Sequence, residues 1–440
     1  MDRRGFAVGV LSLTVENMLL RLSGIWFRGW IFGQLGSVQM GVYQLVFSVF
    51  SLGVTLSASG ASFTATRLAA ERGPNRKSLR RCMLLSLLVS GGAGLFLFCL
   101  APWLGPLTGG VIPLQLLAPG LPCIAVCACL KGTFLAEGKT LAPMSAELLE
   151  QCAGIGLSIL LVGRMQDPLC ALMLASTLSE GVSCLFMALA YSRQFGRKMS
   201  ADSPASWREL VRIGGPGAGG AGLRSLLSAL ENLLIPQGLR ALGSRETALT
   251  QYGLLQGMAM PILLFPGGLL ASASTLLVPE LARCSAHGKL GRVRFVAGRA
   301  FRMTLCFSFA ASACMSVFAG QLCRLFYGNE DAAWLLRILA PLIPLQYVDS
   351  VVDGMLKGLD QQSYSLCYNL IDSALRVTWC AVVVPHTGLF GYILLLFFSE
   401  IFNASLSITR LLHVADVEIA PAWVLVPAAV CLVVYGWMGP

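Results

Sequence analysis

Three stretches of this chain place charged or polar side chains at one-face helical spacing inside apolar sequence. Asn17, Arg21 and Arg28 stand at i, i+4 and i+11; Arg224, Ser228 and Glu231 at i, i+4 and i+7; Asp349, Asp353 and Lys357 at i, i+4 and i+8. At about 3.6 residues per turn, each set falls on one stripe of a helix. Charge inside an apolar helix is costly and by default marks either a transport pathway or a pair. The first two stripes are cationic. Arg21 lies near the middle of its apolar stretch, and Glu16, on a different face, does not neutralise it. A planar guanidinium fork suits phosphate or pyrophosphate, so Arg21 and Arg224 are the leading anion ligands, with Asn17 and Glu231 beside them. Arg28, near the end of its stretch, reads first as a snorkelling side chain and second as a ligand. For the acidic stripe the simplest account is intrahelical pairing with Lys357, and the alternative is ion coupling at Asp349 and Asp353. Glu16 is the one first-stretch carboxylate open to that coupling role. Asp372 and Arg376, at i and i+4, are expected to neutralise each other. Glu147, Glu150, Gln151, Glu180 and Glu400 read as protonated or hydrogen-bonded packing residues.

Other chemistry is excluded. The 15 Cys and three His form no CxxC pair beside His, so neither a zinc site nor a disulfide framework is expected. The run Gly214-Gly-Pro-Gly-Ala-Gly-Gly-Ala-Gly222 is not a phosphate loop, because no Gly-Lys-Ser/Thr follows. Close helix packing is its first reading, and a bend at Pro216 its second. No nucleophile, base or metal constellation emerges, so an enzyme is not expected, and no cofactor is implied.

The elements that position these residues are membrane spans. Hydrophobic residues make up 56% of the chain, charged residues 12%, and mean hydropathy is +0.72. A bilayer core needs about 20 apolar residues per helix. Spans are expected at 8–31, 41–64, 82–104, 113–135, 142–163, 168–191, 209–235, 247–275, 299–320, 332–356, 365–384, 388–410 and 421–438: an all-α polytopic protein of about thirteen spans. The gap after the second span holds Arg67, Arg72, Arg76, Lys77, Arg80 and Arg81, while the gaps on either side hold no Lys or Arg. This alternation places the N-terminus and the basic loops 65–81, 192–208 and 276–298 in the cytoplasm. The formal net charge of +10 is therefore mostly topological, with anionic headgroups rather than nucleic acid as its partner. The start, Met1-Asp-Arg-Arg4, resembles a signal n-region, but Glu16, Arg21 and Arg28 and the lack of a small-residue cleavage site make it an uncleaved first span.

The chain reads as a parallel duplication. Leu35-Gly36-Ser37 and Tyr43-Gln44-Leu45 lead through an apolar span to Arg67-Leu68-Ala69. About 210 residues later, Leu242-Gly243-Ser244 and Tyr252-Gly253-Leu254 lead to Leu281-Ala282-Arg283. The expected organisation is two pseudo-symmetric six-helix lobes, 1–191 and 209–412, a basic linker 192–208, and a short final span within 413–440.

Ile235-Pro-Gln-Gly-Leu239, Tyr252-Gly-Leu-Leu-Gln-Gly-Met-Ala-Met-Pro261, Phe265-Pro266 and Leu277-Val-Pro-Glu280 carry a family resemblance. With Leu20-Arg-Leu-Ser-Gly24 and Gly41-Val-Tyr-Gln-Leu45, they resemble the stage V sporulation protein B branch of polysaccharide flippases, in the superfamily that also holds multidrug antiporters and lipid II flippases. The resemblance implies a V-shaped two-lobed bundle in a bacterial plasma membrane. It implies alternating access that moves a polyprenyl-pyrophosphate-linked saccharide to the outer leaflet, and a first-span arginine, Arg21 here, that holds the pyrophosphate. Relatives often have fourteen spans, so the last hairpin is expected to be incomplete. The expected partners are the lipid-linked saccharide and membrane lipids, the expected state is a monomer, and membrane potential, Na+ or H+ is the expected drive. A cation antiporter of the same superfamily and a non-transporting scaffold are the alternatives.

Overall fold

The computed structural model describes residues 3–73, 75–108, 110–195, 205–416 and 429, and every regular element among them is a helix. The first, α1 (Arg3–Arg72), contains two spans separated at Gly36, whose φ of 74° suits glycine. There follow α2 (Arg76–Thr108), α3 (Ile112–Leu117), α4 (Gly120–Ala136), α5 (Leu141–Val162) and α6 (Pro168–Phe195). The second half opens with α7 (Trp207–Arg240) and α8 (Arg245–Tyr252), then a π-helical segment Gly253–Ala259, α9 (Met260–Leu264) and α10 (Gly267–Ala286). It continues with α11 (Leu290–Val317), α12 (Ala319–Tyr327), α13 (Ala333–Leu339), a short 3-10 turn, α14 (Ile343–Gly358), α15 (Gln362–Val382) and α16 (Val384–Ala415).

The expected spans up to 388–410 fall on these helices. The last, 421–438, lies outside the described residues apart from Ala429. Among the described residues, 8 helices are long and apolar enough to cross a membrane, or up to 9 if one bent pair counts as a single span. Large apolar side chains point outward, with Leu88 71%, Leu95 66% and Phe96 65% exposed on α2 alone. Such a surface is a liability in water and is solvated in lipid.

One span departs from expectation. The stretch 247–275, expected as a single helix, is a broken element running on to Ala286, bent by 56° between Arg245–Leu264 and Gly267–Ala286. Pro266 supplies no N–H to the helical ladder, and Gly267 and Gly268 follow it directly, so the break has a local cause.

The chain forms two compact units, Val42–Leu233 and Met1–Gly41 with Leu234–Pro440. They are not simply the sequence halves 1–191 and 209–412: the first span joins the helices of the second half, and most of α7 joins those of the first. Small residues explain the exchange, because they let backbones approach closely. A Cβ on Gly29 would fall 1.8 Å from the Phe326 carbonyl oxygen, and one on Gly41 2.2 Å from that of Leu249. In the other unit, a Cβ on Gly214 of α7 would fall 2.4 Å from Thr64 Oγ1. Each unit has its own apolar interior. Phe134, Met187, Phe195 and Leu210 pack in Val42–Leu233, and Phe301, Val352, Met355 and Leu411 in the other unit.

Candidate functional site

Side chains from other helices donate to backbone carbonyls along the broken eighth span. The Tyr327 hydroxyl donates to Met258 O at 3.1 Å, at the end of the π-helical segment. The Tyr347 hydroxyl donates to Leu263 O at 2.7 Å. Arg21 Nη1 donates to Leu264 O at 3.3 Å. Backbone acceptors in a bilayer find their donors inside the protein, and these side chains supply three. Discontinuous helices of this kind recur at the substrate and ion sites of transporters.

Arg21 lies against the first turn of α10. A Cβ on Gly268 would stand 2.6 Å from Arg21 Cδ and 2.7 Å from Nε, so glycine lets the side chain run along α10 in this position. The guanidinium has five N–H donors, one of which is engaged by Leu264, and no other hydrogen bond or ion pair to Arg21 occurs among the described residues. Its side chain is exposed. What remains is a fixed cation with a largely free fork, suited to an anionic group with several oxygens.

The other first-span candidates separate by face. Asn17 is exposed, Arg28 half-buried and Glu16 buried at 5% exposure, as expected for a carboxylate on a different side from Arg21. Arg28 lies beside Gly29, where the span meets Phe326 and Tyr327 of α12. Arg224 and Glu231 belong to the unit Val42–Leu233, where Arg224 is exposed and Glu231 buried at 7% exposure. Next to Arg224, the Ser225 hydroxyl donates to Ser51 O at 3.4 Å, tying α7 to the second-span part of α1. The structure thus gathers Asn17, Arg21, Arg28, Glu16, Asp349 and Asp353 in one unit, and Arg224 with Glu231 in the other. The close-packing reading of the glycine run holds at Gly214, and α7 is a single helix through Pro216.

A second polar cluster joins α14, α15 and α16. Asp349 Oδ2 accepts from Asn403 Nδ2 at 2.9 Å, and Asp353 Oδ1 accepts from the Ser365 hydroxyl. Gln346 Nε2 donates to Glu400 Oε1 at 3.4 Å. Arg376 Nη1 donates to Ser399 Oγ at 3.3 Å, and that hydroxyl donates to Asp372 Oδ1 at 2.6 Å. The expected Asp372–Arg376 pair is therefore bridged through a serine of α16. The expected intrahelical pairing of Lys357 is not formed. Lys357 is exposed and makes no ion pair among the described residues, while Asp353 turns to α15. Interhelical hydrogen bonds bind the carboxylate inside the bundle, whereas the lysine reaches outward. Four carboxylates share this cluster with one guanidinium, an excess of negative charge that protonation can offset.

Sequence reasoning missed the tyrosine caps, the polar partners Ser399 and Asn403, and the Lys131–Glu147 ion pair at 3.2 Å between α4 and α5. The break was signalled by Phe265-Pro266-Gly267-Gly268. The partners carry no local signal, since they come from distant helices. Among the described residues no cluster of three or more His, Cys, Asp or Glu could hold a metal ion.

Comparison with known proteins gives consistent matches. The polysaccharide biosynthesis protein family model matches residues 7–285, and the MatE model matches residues 241–382. Stage V sporulation protein B of Bacillus subtilis (strain 168) is 26% identical over 446 residues, covering 95% of this chain and 84% of that protein. The inward-facing structure of a multidrug resistance MATE family transporter of the MOP superfamily superposes with TM-score 0.66 at 19% identity, covering 94% of this chain and 100% of that chain. A MOP superfamily transporter from Pyrococcus furiosus Vc1 (DSM3638) superposes with TM-score 0.64 at 17% identity, over 97% and 96% of the two chains. The two structural matches establish the fold.

Proposed function

Because the chain belongs to the polysaccharide biosynthesis protein family, a multi-pass membrane flippase of the MOP superfamily, we propose that its cargo is a polyprenyl-pyrophosphate-linked saccharide. The cargo moves from the cytoplasmic to the outer leaflet of a bacterial plasma membrane by alternating access, and the N-terminus lies in the cytoplasm. The observation that carries this reading is Arg21: a mid-span guanidinium, held by one N–H on the Leu264 carbonyl, with its remaining donors free for phosphate oxygens. The protein binds and releases; it forms no bond. Arg21 holds the pyrophosphate, and Asn17 and Arg28 of the same unit are candidate contacts to the saccharide; in the other unit Arg224 and Glu231 are the candidate ligand residues of α7. The prenyl tail stays in lipid. Asp349 and Asp353, with Glu16 as the first-span alternative, take the ion or proton that resets the cycle; moving one charge through 100 mV supplies about 2.3 kcal/mol.

The test is native mass spectrometry of the full-length protein with an undecaprenyl-pyrophosphate-linked saccharide, followed by a flipping assay in vesicles. Wild type should retain the lipid, Arg21→Lys should retain part of it, and Arg21→Ala should lose it. Equal retention by Arg21→Ala would remove the arginine from the mechanism. One observation favours a second reading. The MatE match spans the α14–α15 carboxylates Asp349, Asp353 and Asp372, which suits cation antiport. Cation efflux that survives Arg21→Ala and fails in Asp349→Asn would select it.

A further inference from the structure

Two buried thiols meet inside the unit Val42–Leu233. Cys82 Sγ of α2 lies 3.8 Å from Cys129 Sγ of α4, and no disulfide joins them. Each sulfur has an oxygen beside it. The Cys82 thiol donates to Ala61 O at 3.9 Å, and the Ser86 hydroxyl lies 3.3 Å from Cys129 Sγ. Both cysteines pack in the apolar interior with Phe134, Met187 and Leu210, Cys82 at 2% exposure and Cys129 at 0%. A buried cysteine is by default a small apolar filler. That reading suffices for Cys129, which is sealed, and it leaves the other flank of Cys82 unexplained.

Cys82 lines two partly open cavities. The smaller, about 20 Å³, sits at the end of the unit that carries the basic stretch 65–81, where Gly73, Asn75, Ser78, Thr133 and Tyr191 also line it. It has room for one water-sized molecule and polar side chains to receive it. The larger, about 160 Å³, has Leu85 and Ser86 beside Cys82 in its wall. Cys129 lines neither. A small uncharged oxidant can therefore reach one sulfur, and the second stands directly behind the first. Only a short shift separates contact from bonding: the sulfurs must close from 3.8 Å to a bond of about 2.05 Å.

We propose that Cys82 and Cys129 are a peroxide-reactive thiol pair, oxidised by hydrogen peroxide to a disulfide that staples α2 to α4. The Cys82 sulfur attacks one peroxide oxygen. The O–O bond breaks, the thiol proton leaves with the departing hydroxide as water, and Cys82 becomes a sulfenic acid. The Cys129 sulfur then attacks the Cys82 sulfur. The S–S bond forms, the S–O bond breaks, and the Cys129 proton leaves with that hydroxide as a second water. The two thiols give up one electron each, and one peroxide accepts both. Beside the staple, Arg81 Nη1 donates to Ala205 O at 2.8 Å, and Ala205 N donates to Ser78 Oγ at 3.0 Å. Oxidation therefore fastens to α4 the turns of α2 that hold the chain just before α7. Disulfides formed in reducing compartments are transient and commonly redox-sensing. The site is independent of Arg21 and of the cargo.

The experiment is peptide mapping by mass spectrometry of the full-length protein in lipid nanodiscs. The protein is reduced, freed of reductant, exposed to hydrogen peroxide or to oxidised glutathione, and alkylated. Hydrogen peroxide should yield the linked Cys82–Cys129 peptide pair, lighter than the two thiol peptides by two hydrogens, and dithiothreitol should reverse it. Oxidised glutathione, too bulky for either cavity, should form the pair at least tenfold more slowly. Cys129→Ala should stop at the sulfenic acid of Cys82, trapped by dimedone, and Cys82→Ala should leave Cys129 as a thiol. The wild-type map needs no variant, so the result stands even where a substitution fails to fold. No linked pair in folded wild type after hydrogen peroxide would overturn the proposal. So would equal rates with the two oxidants, or linkage confined to other pairs such as Cys123 and Cys184, whose thiols also hydrogen-bond. Dimedone labelling of Cys129 in Cys82→Ala would overturn the assignment of Cys82 as the sulfur that reacts first.

Discussion

Replacing Gly268 with alanine should separate anion binding from folding. The new Cβ would stand 2.6 Å from Arg21 Cδ, against ordinary contact from 3.4 Å outward. The exposed arginine side chain must shift by about 0.8 Å, and its bond to Leu264 O, already 3.3 Å, is the contact this shift weakens. A hydrogen bond involving a charged group contributes about 1.5–3 kcal/mol. Alanine recovers up to about 1 kcal/mol over glycine in a helix, so the net loss should be no more than about 2 kcal/mol and the protein should still fold. The anion meets a displaced fork, and losing one charge-assisted hydrogen bond to it should weaken binding about tenfold. Thermal unfolding in lipid reads the first quantity, and native mass spectrometry with the pyrophosphate-linked lipid reads the second. Gly291→Ala, where nothing lies within 4 Å, serves as the control: it should leave lipid affinity unchanged and raise stability by at most about 1 kcal/mol. Wild-type affinity in a folded Gly268→Ala, with affinity lost in Arg21→Ala, would refute the idea that α10 positions the arginine. Wild-type affinity in both variants would refute the role of Arg21 itself.

Further substitutions probe the broken span and the acidic cluster. Tyr347→Phe leaves the Leu263 carbonyl without its 2.7 Å donor and should cost about 1–3 kcal/mol, read as a lower Tm. Gly253→Ala would put a Cβ 2.5 Å from Ser37 O and 2.8 Å from Gly41 N; with backbone on the receiving side nothing can swing away, and about 2–3 kcal/mol of stability should be lost. Asp349→Asn and Asp353→Asn should leave lipid-linked saccharide binding intact and abolish gradient-driven flipping in vesicles; gradient dependence that survives both would remove these carboxylates from coupling. Lys357→Ala should shift stability by no more than about 0.5 kcal/mol, because the side chain is exposed and makes no ion pair.

Class and helix positions were legible in the sequence, because a bilayer requires long apolar stretches and tolerates few charges within them. Arg21 stood out because a mid-span guanidinium is expensive. These are local properties, and each can be read within one turn or one span. The exchange of first spans between the two units could not be read that way. It depends on Gly29 meeting Phe326, Gly41 meeting Leu249 and Gly214 meeting Thr64, contacts between residues far apart in the chain. Nor could the choice of Asp353 between Lys357 on its own helix and Ser365 on the next, since both lie within reach and only packing selects one. The same holds for Arg21. Sequence placed a cation in the membrane, but the carbonyl that anchors it belongs to a helix broken more than two hundred residues away, and only the folded chain brings Leu264 to it.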